Sequence, residues 1–178
     1  MSYCTYVANL PKDNVHRIYH DTAYGFEIHS DDELFERLVL EINQAGLSWN
    51  TILLKQAHFK KAYHQFNIKK VAKYAEKDVE RLLQDAGIIR NRLKIHAAIY
   101  NANHILQLQK EHGSFKKWIE HHHPKSKEEW VKIFKKNFKF VGGEIVNEFL
   151  MSTGYLPGVH DADCAIGIKL EKLKSKKK

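Results

Sequence analysis

Laid out at about 100° per residue, Leu34, Phe35, Leu38, Val39, Ile42 and Ala45 fall in one sector, which is the signature of an amphipathic helix. Ser30 and Glu33 stand ahead of it at the spacing of a capping box, and Gly46 stands where such a helix stops. Ser48 then starts a second helix through Ile52, Leu53 and Ala57 toward Tyr63. The same start and stop signals predict helices at 68–75, 78–85, 91–112 ending at Gly113, 115–121, 127–136 behind Ser126 and Glu129, and 143–153 ending at Gly154. Pro11, Pro124 and Pro157 all fall between these segments. Sustained period-2 alternation is scarce, so the expected class is all-α. A chain of 178 residues suits one ordinary domain, expected over residues 1–168. Residues 169–178, ending "LEKLKSKKK", are expected to form an unstructured basic tail.

One residue breaks the pattern. Glu41 sits at the margin of the apolar sector, beside Leu34 and Ala45, where a helix would bury an alkyl group. The net charge of +8 suggests an anionic partner, although charge alone does not choose among DNA, RNA and a membrane surface. No run of 18 apolar residues exists and "MSYCTYVANLPKD" has no leader pattern, so a cytoplasmic protein without membrane association is expected. In a reducing compartment Cys4 and Cys164 are free for a purpose other than a disulfide.

Three constellations could carry chemistry. "LLQDAGIIRNRLKIHAA" (82–98) places a short helix, a tight turn at Gly87 and a long helix with a basic head in succession. That pattern suits a grip on DNA phosphate by turn amides and a helix N-terminus, and equally an ordinary αα-corner with a solvated basic face. Cys4, His20, His160 and Cys164 could together close a tetrahedral metal site, since His160 and Cys164 stand four apart. Spacing alone also allows that the four are unrelated. Tyr6, Tyr19, Tyr24 and Trp49 with Glu41 would suit a flat cationic guest, or could simply be core rings around a capping carboxylate. The triple histidine at 121–123 reads as a surface loop before Pro124.

Jointly, Cys4, "YHDTAYG" (19–25), "LEINQAGLSW" (40–49), "DVERLLQDAGIIRNRLKI" (78–95), "FKFVG" (138–142) and His160 with Cys164 resemble, in order, the 3-methyladenine DNA glycosylase I family of bacterial base-excision repair. The likeness runs from residue 4 to about residue 165. It implies a helix-hairpin-helix glycosylase fold of two α-helical lobes, with the termini joined by structural zinc on Cys4, His20, His160 and Cys164. It implies that Glu41 is the catalytic, base-recognising carboxylate, with Tyr6, Tyr19, Tyr24 and Trp49 as the base pocket. DNA contacts are implied for Gly46, for Leu47, which would enter the base stack, and for Gly87, Ile88, Ile89, Arg90, Arg92 and Lys94. The implied activity is that of a monofunctional, monomeric enzyme that flips an alkylated adenine out of double-stranded DNA and hydrolyses its N-glycosidic bond. The alternative from another class is a non-catalytic binder of damaged DNA with the same fold. Tyr6 and Tyr24 stand where the family usually has tryptophan, and the segment from Phe115 to Lys136 is shorter than the family's.

Overall fold

A computed structural model describes residues 1–175. Among them are eleven α-helices and no strand. In chain order these are α1 (Tyr3–Ala8), α2 (Val15–Thr22), α3 (Asp31–Gln44), α4 (Trp49–Ala62), α5 (Ile68–Val71), α6 (Glu76–Gln84), α7 (Arg92–His112), α8 (Phe115–His122), α9 (Lys127–Asn137), α10 (Gly143–Ser152) and α11 (Ala165–Ser175). A tight turn at His64–Phe66, left-handed at all three residues, follows α4. The chain divides into two compact units, one made of Met1–Glu27 with residues from Leu150 onward and the other of Ile28–Phe149.

In the larger unit, the acidic first turn of α3 does more than start its own helix. Ser30 Oγ accepts from the Glu33 amide at 3.4 Å. Asp31 meanwhile accepts from the amides of Phe115 and Lys116 at 2.8 and 3.0 Å, placing a carboxylate on the N-terminus of α8. Asp32 accepts from the Ile68 amide at 3.0 Å and so caps α5. The long α7 packs against α3, α5, α6 and α8. Its core face, Ile95, Ala98, Ala102 and Ile105, is at most 1 % exposed. Phe115, Trp118, Trp130, Phe134 and Phe149 close the unit as a buried aromatic cluster.

The helix expected over 68–75 is shorter, ending at Val71, and the next begins at Glu76 rather than Asp78. Asp78 explains the earlier start, because its carboxylate reaches back to the Ala75 amide at 3.1 Å and caps one turn upstream.

In the smaller unit, α1 packs on α2, and each is capped by a short polar side chain, Ser2 on the Thr5 amide and Asn14 on the His16 amide. The basic tail expected from residue 169 is helical through Ser175 as part of α11. Ile166, Leu170 and Leu173 recur at helical spacing and Leu170 is buried, so the segment has an apolar stripe despite its charge. Lys176 to Lys178 lie outside the described residues.

Candidate functional site

Within the smaller unit the four expected ligands converge. His20 Nε2 and His160 Nδ1 are 3.2 Å apart. Cys4 Sγ lies 3.4 Å from His20 and 3.6 Å from His160, and Cys164 Sγ lies 3.7 Å from each. A tetrahedral ion with bonds of about 2.0 Å to nitrogen and about 2.3 Å to sulfur has N···N edges of about 3.3 Å and N···S edges of about 3.5 Å. The cluster therefore already has the dimensions of a four-coordinate site.

The surroundings fix which atoms face inward. His20 Nδ1 donates to Asp21 Oδ1 at 2.7 Å, leaving Nε2 for the centre, and Asp21 is held in turn by Arg17 Nε at 2.8 Å. His160 Nε2 donates to the Tyr24 carbonyl at 3.0 Å, leaving Nδ1 inward. The Asp161 amide points at Cys4 Sγ, 3.4 Å away. Two glycines make room: a Cβ on Gly25, whose φ is +80°, would lie 2.7 Å from Val159, and one on Gly167 would lie 2.8 Å from His160 Cβ. Burial pushes the Cys4 thiol up to about 11, so a bound cation would have to displace its proton.

The same unit carries the three tyrosines. Tyr19 is buried and Tyr24 half-buried, with ring centroids 5.6 Å apart. Tyr6 is 42 % exposed, 6.3 Å from Tyr3 and 5.5 Å from His16. Two of these rings are tied to the Cys/His cluster, Tyr19 by being next to His20 and Tyr24 by its carbonyl.

In the larger unit Glu41 is 4 % exposed, and its carboxylate has no hydrogen-bond donor among the described residues. Burial raises its pKa to about 8, with Arg37 lowering it and Glu148 raising it further. A buried carboxylate without a donor destabilises the fold, and such groups are characteristic of binding and catalytic sites. Arg37 and Glu148 were not singled out in the sequence; Arg37 sits one helical turn before Glu41, which is the signal that could have found it. Asp21 was legible in the same way, next to His20. Trp49 is the half-buried first residue of α4.

The hairpin and the loop before α4 lie in this unit too. Gly87 is required by packing, since a Cβ there would lie 2.9 Å from both His58 Cδ2 and Asp85 Oδ1. Ile88 is buried, and the backbone amides of Ile89 and Arg90 have no partner among the described residues. Arg90 is exposed and makes no ion pair among them. Arg92, expected beside it on phosphate, is instead paired with Glu76 at 2.6 Å and with Glu80. Lys94 departs further from expectation: it is 5 % exposed, and Nζ donates to the carbonyls of Asn43 at 3.0 Å and Ala45 at 2.8 Å. At the far end of that link, Gly46 turns the chain with φ +84° and Leu47 is 41 % exposed.

A family profile described as methyladenine glycosylase matches residues 9–132. DNA-3-methyladenine glycosylase 1 of Escherichia coli is 37 % identical over 173 residues, spanning 86 % of this chain and 91 % of that protein. A crystal structure of a 3-methyladenine DNA glycosylase I variant in complex with 3-methyladenine superposes with a TM-score of 0.83 at 29 % identity, covering 93 % of this chain and 97 % of the other. The Staphylococcus aureus 3-methyladenine DNA glycosylase I, in a structure addressing 3-methyladenine recognition, gives a TM-score of 0.81 at 29 % identity with the same coverage.

Proposed function

The chain belongs to the methyladenine glycosylase family, and from that premise we propose that it acts in base-excision repair as a DNA-3-methyladenine glycosylase, hydrolysing the N-glycosidic bond of the alkylated base. The observation that carries its mechanism is Glu41, a buried carboxylate with no donor of its own. An adenine methylated at N3 is cationic and a good leaving group before any proton is added. As the C1′–N bond breaks, its electron pair neutralises the ring, the positive charge passes to the sugar as an oxocarbenium ion, and water adds at C1′ and gives up a proton to solvent. Negative charge on Glu41 complements the cation throughout. Burial favours the protonated form of Glu41 in the free enzyme. A unit cation about 4 Å away at an effective dielectric of about 20 is worth about 4 kcal/mol, which is enough to draw the proton off as the base arrives.

The aromatic faces of Tyr6, Tyr19, Tyr24 and Trp49 suit the flat cationic ring, and we assign them to base binding. Leu47, exposed on its glycine turn, fills the gap that a flipped nucleotide leaves in double-stranded DNA. The hairpin binds phosphate through the amides of Ile89 and Arg90, aided by the Arg90 side chain, in the manner of a helix-hairpin-helix; their lack of partners supports this. The glycosylase domain expected over residues 1–168 takes in the rest of α11 as well, and acts as a monomer. Zinc suits the Cys4, His20, His160 and Cys164 set, because the edges match its bond lengths and the donors are two thiolates and two imidazoles. Four protein ligands would leave a bound zinc no position for water, so it would supply structure alone. No helix among the described residues is long and apolar enough to cross a membrane.

Chromatography of bases released from methylated duplex DNA tests the activity. Free 3-methyladenine is the expected product; tight binding to damaged DNA with no base released would favour the non-catalytic alternative instead.

A further inference from the structure

Lys94 stands in the first turn of α7, directly behind the hairpin, where a basic residue would ordinarily reach for solvent. Its ammonium is buried instead and makes no ion pair among the described residues. It is held by the carbonyls of Asn43 and Ala45, with the Phe140 ring centroid 5.8 Å away. Those carbonyls are orphan acceptors at the C-terminal end of α3, where a lysine satisfies both the hydrogen bonding and the helix dipole. Beyond Ala45 comes the left-handed turn at Gly46 and then Leu47. Within that loop Leu47 donates its amide to Gln44 at 2.7 Å, and Gln44 returns a side-chain bond to the Leu47 carbonyl at 3.0 Å. Lys94 thus joins the loop that carries Leu47 to the helix that begins with the hairpin. Methionine could fill the same space without burying a charge, so packing alone does not call for a lysine.

We propose that Lys94 is a positioning residue of the glycosylase reaction: by clamping the end of α3 to the start of α7, it makes the Leu47 loop and the phosphate-binding hairpin approach the duplex as one rigid piece. This rests on the reading that Leu47 enters the base stack. Flipping requires the wedge to arrive in register with the backbone grip, and a loop released from Lys94 must be ordered anew at each encounter.

Single-turnover excision of 3-methyladenine by Lys94→Met, Leu47→Ala and the double variant tests it. Each single variant should slow excision about tenfold or more, since small misplacements are amplified in rate. The double variant should be no slower than Leu47→Ala alone, because Lys94 acts through the loop. Fluorescence of 2-aminopurine beside the lesion should show less unstacking in both single variants, with affinity for undamaged duplex and its salt dependence unchanged. Wild-type excision by Lys94→Met, or losses that multiply in the double variant, would overturn the proposal. So would a salt dependence shallower by about one unit, which would make Lys94 a phosphate contact. Wild-type excision by Leu47→Ala would remove the wedge reading and this role with it, whereas a slow Leu47→Ala beside an unaffected Lys94→Met removes this role alone. If Lys94→Met does not fold, Lys94→Gln, which keeps a donor for one of the two carbonyls, carries the same test with a smaller loss.

Discussion

Glu41 concentrates the conflict between stability and function in one side chain. Its folded pKa, about 8, lies above the usual carboxylate value of 4.5, so the folded state keeps a proton that the unfolded chain gives up. Stability on this account falls as pH rises from about 4.5 to about 8, and the penalty is complete above that. Glu41→Gln is nearly isosteric and cannot ionise, so the variant should melt higher than wild type at pH 8 and close to it at pH 4. Thermal denaturation at the two values checks this. Catalysis should run the other way. The ionised form complements the cation, so kcat/KM for 3-methyladenine excision should rise with pH, with a midpoint near 8 in the free enzyme, and then level off. Glu41→Gln should lack that limb and excise more than tenfold more slowly, because neutral complementarity replaces charge. Binding to an abasic-site analogue, which presents no base, should change little. A variant that is both stable and active would end this account of the carboxylate.

The hairpin shows how three cations close in sequence take different parts. Arg90 is exposed and unpaired among the described residues, Arg92 is paired with Glu76 and Glu80, and Lys94 is buried. Arg90→Gln should weaken binding to damaged and undamaged duplex alike and make the salt dependence shallower by about one unit, as expected for one lost phosphate contact. Arg92→Gln should leave that slope near wild type. Its loss is that of a solvent-screened surface ion pair, because Arg92 is 46 % exposed on the side chain. Binding isotherms over a range of salt concentration separate the two variants. An effect of Arg90→Gln confined to damaged DNA would assign it to the lesion instead of the backbone.

At the scale of the molecule, the Cys4, His20, His160 and Cys164 side chains meet from α1, α2 and the segment entering α11. Closing a loop of this length should contribute to folding, and the ligands must lose protons to bind. One zinc per chain is expected by elemental analysis. Its removal by chelator should lower the melting temperature and, through His20 beside Tyr19 and His160 on the Tyr24 carbonyl, slow excision. Cys164→Ala should reproduce the loss of stability, and should lower activity less when it is measured at low temperature. Protein purified without chelator and free of metal, or a bond between Cys4 and Cys164, would refute the assignment.

Local signals carried much of the architecture. Ser30 with Glu33, Ser48, Gly113 and Ser126 with Glu129 mark helix ends in the sequence because caps act over three or four residues, and those helices stand where the signals put them. The short α1 and α2 span few turns and α11 is highly charged, and they form where packing within their unit supplies what propensity does not. At the sites, residue type was legible and environment was not. Family resemblance pointed to Cys4, His20, His160 and Cys164, but only folding brings atoms 156 residues apart in sequence to 3.6 Å. Glu41 stood out as a carboxylate on an apolar sector; its raised pKa comes from burial in the folded chain, with Arg37 opposing the rise and Glu148 adding to it. Lys94 was expected to contact phosphate and is buried instead, a difference that sequence does not show because a lysine after a hairpin looks the same whether it faces solvent or the end of another helix. That difference was decided by where α3 ends, since the orphan carbonyls of Asn43 and Ala45 lie within reach of its ammonium only in the folded chain.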